Sequence, residues 1–106
     1  MLTEQAIREA SQRVAAVAHA PLKVILFGSY ARGDADEGSD LDLMVVEEEI
    51  PDFTQEYLRL HSVLGALGIG VDLLLFTESE FEKKRGWWTT PVYWAAREGK
   101  VMYERA

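Results

Sequence analysis

Apolar positions along this chain switch repeatedly between a helical rhythm and an alternating one. Between Thr3 and about Ala20, Ile7, Ala10, Val14 and Val17 recur at the spacing of one helical face, with Thr3 placed to cap the start and Pro21 to stop the end. "LKVILF" at 22–27 then predicts a short branched strand ending at Gly28. The stretch from Ser29 to Gly38 is too rich in Gly and Asp for a long helix, though "SYAR" suits one turn. "DLDLMVV" at 40–46 predicts a second strand, on which Asp40, Asp42, Met44 and Val46 share one face and Leu41, Leu43 and Val45 the other.

"EEE" at 47–49 reads as a solvated strand end, and Pro51 breaks the strand. A second amphipathic helix follows, with Phe53, Tyr57, Leu60, Leu64 and Leu67 on a common face, before Gly68 and Gly70 end it. "VDLLLF" at 71–76 is a third strand. Thr77 and Glu80 form a capping-box pattern that opens a short helix closed by Gly86, with the basic "EKKR" at its C-terminus suiting the helix dipole. Thr90 and Pro91 cap a last helix ending near Gly99, and "KVMYER" suits a short edge strand. The order helix, strand, strand, helix, strand, helix, helix, strand predicts an α/β (α+β) domain with a small mixed β-sheet flanked by helices.

With 106 residues and no internal repeat, residues 1–106 fit one domain with a single core. A net charge of −7 argues against holding nucleic acid or an anionic membrane by a general electrostatic field, so any polyanionic ligand needs positive charge supplied locally. No cysteine occurs, which excludes disulfides and thiolate metal sites. The N-terminal segment reads as a helix and not a signal peptide, and no apolar run reaches the ~18 residues a membrane span requires, so a cytoplasmic location is expected.

The chemistry starts from carboxylates placed where strands are otherwise apolar. Asp40 and Asp42, two apart on a strand, project from one face roughly 6.6 Å apart and can reach a shared cation or a pair of cations. Asp72, between Val71 and Leu73, repeats the pattern. An alternating strand with one wet face would also show Asp at every second position. That reading gives no reason for a third Asp and an upstream Gly-Ser turn to coincide with the pair. Ionised carboxylates crowded in an apolar setting are costly and repel each other, and a divalent cation removes both penalties. An oxygen-only set favours Mg²⁺ or Mn²⁺ over Zn²⁺.

Gly28 lets the backbone approach a phosphate, the Ser29 hydroxyl can hydrogen-bond to it, and Arg32 can clamp its oxygens. Gly28-Ser29 alone would be an ordinary strand-to-turn junction. "GSYARG" has P-loop spacing, but Asp34 stands where Lys is needed. "DADEGSDLD" fails as a calcium loop, since Gly38 comes one position early and Val45 occupies the twelfth place. In "GWWTTPVYW", Trp87, Trp88, Tyr93 and Trp94 read first as core fillers, at least two of them over the sheet, and second as a docking surface centred on Trp88. His19 and His61 stand on predicted helices without a matching ligand partner, so both read as structural or solvated.

"FGSYARGDADEGSDLDLMVV" with "VDLLLF" resembles the nucleotidyltransferase superfamily that includes DNA polymerase beta and kanamycin nucleotidyltransferase, in which Gly-Ser, an Asp-x-Asp pair and a later third Asp share one site. It is most similar to the minimal nucleotidyltransferases, antitoxin partners of HEPN-domain toxins, and the tail "AAREGKVMYER" extends the likeness over nearly the whole chain. The resemblance implies a polymerase beta-like fold. It implies that Asp40, Asp42 and Asp72 hold two Mg²⁺ ions and are catalytic, that Gly28, Ser29 and Arg32 bind nucleotide phosphates, and that Asp72 helps remove the acceptor's proton. The implied reaction is NMP transfer, with ATP as the nucleoside triphosphate and a tyrosine of a HEPN toxin as acceptor. The alternatives are an antitoxin that neutralises by contact alone, and transfer to a small molecule such as an antibiotic.

Overall fold

Threonine and aspartate side chains fix most helix starts. Thr3 accepts the Ala6 N–H at 3.1 Å, Asp52 accepts that of Gln55 at 3.1 Å, and Thr90 accepts that of Tyr93 at 3.3 Å. Thr77 and Glu80 form the complete reciprocal capping box. The computed structural model describes residues 1–106. Its elements are α1 (Glu4–Val17), β1 (Pro21–Phe27), α2 (Gly28–Arg32), β2 (Leu41–Glu47), α3 (Phe53–Gly65), β3 (Val71–Thr77), α4 (Glu78–Lys84), α5 (Pro91–Glu98) and β4 (Lys100–Glu104). The predicted order holds, and "SYAR" becomes the short helix α2. Pro21 does not stop α1, which has already ended at Val17. It opens β1 instead, a position where its missing N–H costs the ladder little.

The strands form one mixed sheet in the order β3-β2-β1-β4. β1 runs antiparallel to β2 and β4, while β2 and β3 are parallel and joined by the α3 crossover such a pair requires. Strand alternation divides the core in two. Leu41, Leu43 and Val45 of β2 pack with Val24 and Leu26 against Ile7 and Val14 of α1 and Leu60 and Leu64 of α3. Met44 and Val46 pack with Ile25 on the opposite face, against Phe81 of α4 and Val92 and Ala95 of α5. The face carrying Asp42 therefore looks toward α4 and α5.

Four expectations need correction. The tryptophans do not fill the core: Trp87, Trp88 and Trp94 are 59%, 69% and 47% exposed, because Phe81, Val92 and Ala95 already cover that face. Phe53 is exposed, and Glu56 takes the inward place on α3 that periodicity had offered to an apolar residue. His19 lies beyond α1, where its backbone N–H donates to Glu56 Oε2 at 2.9 Å, while His61 sits on α3 stacked against Tyr57. Glu47 is no solvated strand end. It is fully buried, its Oε1 accepting the Ala20 N–H at 2.8 Å while Oε2 has no partner, and only Glu48 and Glu49 reach solvent. Two buried carboxylates thus tie the α1–β1 connection to the sheet and to α3.

Candidate active site

At the end of the sheet where β1 finishes and β2 and β3 begin, the parallel register sets Asp42 directly beside Asp72. On its other side Asp42 pairs with Phe27, so the strand carrying it is flanked by backbone on both edges. Its side chain is half-buried, whereas Asp72 is exposed. Asp40 lies one residue ahead of β2 and is exposed, its carboxylate close to Gly70.

Two glycines make room for these acids. Gly28 sits at φ +72°, a left-handed conformation that L side chains rarely adopt, and a Cβ there would run into the Asp42 carboxylate. A Cβ at Gly70 would meet the Asp40 carboxylate in the same way, and the Gly70 carbonyl accepts the Leu41 N–H at 2.9 Å, which locks the two strand starts together. Sequence reading took Gly70 only for a helix breaker. The signal that could have found it is its place directly before a strand that opens on Val-Asp.

Four of the six sequence-predicted residues meet at one cavity of about 380 Å³. Gly28, Ser29 and Arg32 line it from α2 and Asp42 from β2, and Pro91, Trp94 and Glu98 of α5 form the facing wall. Asp40 and Asp72 lie beside Asp42 rather than on this wall. The α5 residues were missed because their helix reads as an ordinary amphipathic one. At the start of α2, Phe27 supplies no side-chain acceptor to the first turn.

Burial, then Asp72, then Asp40 push the Asp42 carboxyl above its ordinary value, and the nearby Arg32 guanidinium offsets only part of this. Asp72, the register partner, acts on Asp42 through like charge and a side-chain hydrogen bond, and Asp40 through like charge alone. As placed, no three acidic or histidine side chains are close enough to hold one ion together. The donors nevertheless suit a divalent cation, being all-oxygen and short of positive charge, with two glycines clearing the space around them.

These shifts set a pH dependence of stability. Asp42 and Glu47 are both raised, chiefly by burial, so the folded chain holds protons that the unfolded chain has released above 3.8 and 4.5. Stability contributed through these groups therefore rises as pH falls from neutrality towards those values. Glu80 opposes this, since the Thr77 N–H lowers its carboxyl and its contribution is lost as acid protonates it below 4.5. Melting temperatures should climb on acidification from pH 7 and turn down below 4.5. A double variant Asp42→Asn, Glu47→Gln that keeps the full climb would contradict this assignment.

A family model described as the nucleotidyltransferase domain matches residues 4–94. The chain belongs to the nucleotidyltransferase domain family. This nucleotidyltransferase is 35% identical over 81 residues to a candidate protein adenylyltransferase of Methanocaldococcus jannaschii, covering 76% of this chain and 77% of the relative. It is 47% identical over 51 residues to protein adenylyltransferase MntA of Thermococcus cleftensis, a match spanning 47% of this chain and half the relative's length (50%). A solved candidate minimal nucleotidyltransferase superposes with a TM-score of 0.63 at 35% identity, over 91% of this chain and 89% of that one. The fold is shared with the complex of a tri-AMPylated Shewanella oneidensis HEPN toxin and its MNT antitoxin, with a TM-score of 0.63 at 18% identity over 97% of this chain and 74% of that chain. The family makes the protein an enzyme of nucleotidyl transfer. No helix is long and apolar enough to cross a membrane.

Proposed function

We propose that this nucleotidyltransferase transfers AMP from ATP to a tyrosine hydroxyl of a HEPN-domain toxin in the cytoplasm and so acts as its antitoxin. The observation that carries the reading is the in-register pairing of Asp42 with Asp72 next to the Gly28 turn, at the edge of a cavity with one cationic wall residue. The names of the relatives support the nucleotide and the protein acceptor: one is named a protein adenylyltransferase and another a candidate one, and a structural neighbour is an antitoxin complexed with an AMPylated toxin.

Asp40, Asp42 and Asp72 are the side chains that would hold Mg²⁺, with Mn²⁺ an alternative. When bound, the ions would neutralise phosphate charge and make the acceptor hydroxyl easier to deprotonate. The chain's own contribution is placement. Gly28 leaves its backbone open to the terminal phosphates, Ser29 offers a hydroxyl donor, and Arg32 supplies the local positive charge that a protein of net charge −7 otherwise lacks. The acceptor oxygen attacks the α-phosphorus in line, the bond to the bridging oxygen breaks, and pyrophosphate leaves. Asp72, the most open of the paired acids, takes the hydroxyl proton. Positioning and charge compensation supply most of the acceleration.

Exposed Trp87 and Trp88 give a protein partner apolar surface beside α5. The test incubates the protein with Mg²⁺, α-labelled ATP, GTP, CTP or UTP, and the product of a neighbouring gene encoding a HEPN domain. The expected result is AMP label on that partner, absent when its tyrosines are replaced by phenylalanine. Neutralisation of the toxin without any label would favour inhibition by contact, and label on a small molecule alone would favour the antibiotic-type reaction.

A further inference from the structure

The cavity beside Asp42 has two unlike walls. The first carries Gly28, Ser29 and Arg32, and the second is a face of α5 formed by Pro91, Trp94 and Glu98. We infer that the Trp94 indole is the platform on which the nucleobase stacks, with Glu98 accepting a hydrogen bond from the base edge. This rests on the proposed reading that a nucleoside triphosphate occupies the cavity.

Trp94 has no packing reason to be large. The apolar face of α5 is buried through Val92 and Ala95, and Trp94 leaves nearly half its surface to solvent at the cavity. Its ring is nevertheless held in place. It sits edge-on to Tyr93 at 4.9 Å and 86° between planes, and its Nε1–H donates to the Trp88 carbonyl at 2.9 Å. With its only donor used, the indole offers the cavity a fixed π-face, and stacking tolerates any base. Glu98, four residues on, lies one helical turn farther along the same face. An exposed carboxylate only accepts, so it favours bases whose edge presents an amino group, such as adenine, over uracil. At about 380 Å³ the cavity is of the size that takes a small ligand.

The experiment is calorimetric titration with Mg²⁺ and either ATP, UTP or inorganic tripolyphosphate, on the wild-type protein and the variants Trp94→Ala, Trp94→Phe and Glu98→Gln. Circular dichroism checks that each variant folds, which an exposed site should permit. Trp94→Ala is expected to weaken ATP binding by about 5- to 150-fold. Tripolyphosphate affinity should change by less than about twofold, and Trp94→Phe should recover most of the ATP affinity. Glu98→Gln should reduce the preference for ATP over UTP by about threefold or more. Equal losses for ATP and tripolyphosphate, or no loss for either, would overturn the platform while leaving nucleotide binding intact. A wild-type protein that binds none of the three ligands would overturn the functional reading, and the platform with it.

Discussion

Asp42→Asn should abolish nucleotidyl transfer and stabilise the protein in the same stroke. Asp42 is the acid at which the others converge: Asp72 is its register partner, Asp40 adds a second like charge, and its side chain is partly withdrawn from water. The ionised group is therefore held in a setting that disfavours it. Asparagine keeps the shape and removes the charge. After allowing for solvent screening at a half-exposed site, the gain is about 1 kcal/mol, or about 4 °C in Tm for a domain of this size. Transfer should fall about 1,000-fold or more, because in the proposed mechanism this carboxylate holds the cation. Adding Mg²⁺ with an ATP analogue should raise the Tm of the wild-type protein more than that of the variant. Thermal melts beside a labelled-ATP assay measure both halves, and an Asp42→Asn protein that is inactive because it is less stable would contradict the account.

Gly28→Ala should do the opposite to stability while also removing activity. At φ +72° an L residue costs about 1–2 kcal/mol, and the added methyl has nowhere to go but the Asp42 carboxylate. Displacing that side chain adds to the backbone cost. We expect about 3 kcal/mol in all, a fall in Tm of about 10 °C or more, together with loss of transfer beyond what the lower stability explains. The two contributions separate in a cycle with Asp42→Ala, which opens the space the methyl needs. In that background Gly28→Ala should cost only the backbone share. Equal costs in the two backgrounds would show that Gly28 does not serve to make room for Asp42.

The parts of the fold that were legible in the sequence are those governed by local chemistry. The Thr77-Glu80 box, the Thr90-Pro91 start and the alternation of β2 specify hydrogen bonds and faces over a few residues, and each formed as read. The errors arose where a distant element had already met a need. Trp87, Trp88 and Trp94 resembled core because indoles are apolar, but Phe81 and Val92 closed that face first. Glu47 resembled surface because two more glutamates follow it, yet its carboxylate is claimed by the Ala20 N–H, 27 residues away in sequence. Periodicity also could not show that Glu56 would point inward in Phe53's stead, since one of its two partners, beside Arg59 on the same helix, is the distant His19 backbone.

The site divides along the same line. Asp40, Asp42, Asp72, Gly28, Ser29 and Arg32 stood out because carboxylates interrupt apolar strands and glycine punctuates one. Structure adds what spacing could not give: Asp42 and Asp72 share a register position, Gly70 clears the way for Asp40, and α5 closes the cavity. Such relations depend on the parallel β2–β3 pairing, and nothing in either strand alone announces its neighbour.

The central claim is that Asp40, Asp42 and Asp72 together bind divalent metal alongside the nucleotide. Counting bound Mn²⁺ by electron paramagnetic resonance, with a non-hydrolysable ATP analogue present, tests it directly. We expect about two Mn²⁺ per chain in the wild-type protein, with occupancy and affinity both reduced in Asp42→Asn and in Asp72→Asn. Manganese bound as tightly and in the same number by those variants, or none retained by the wild-type complex, would contradict it.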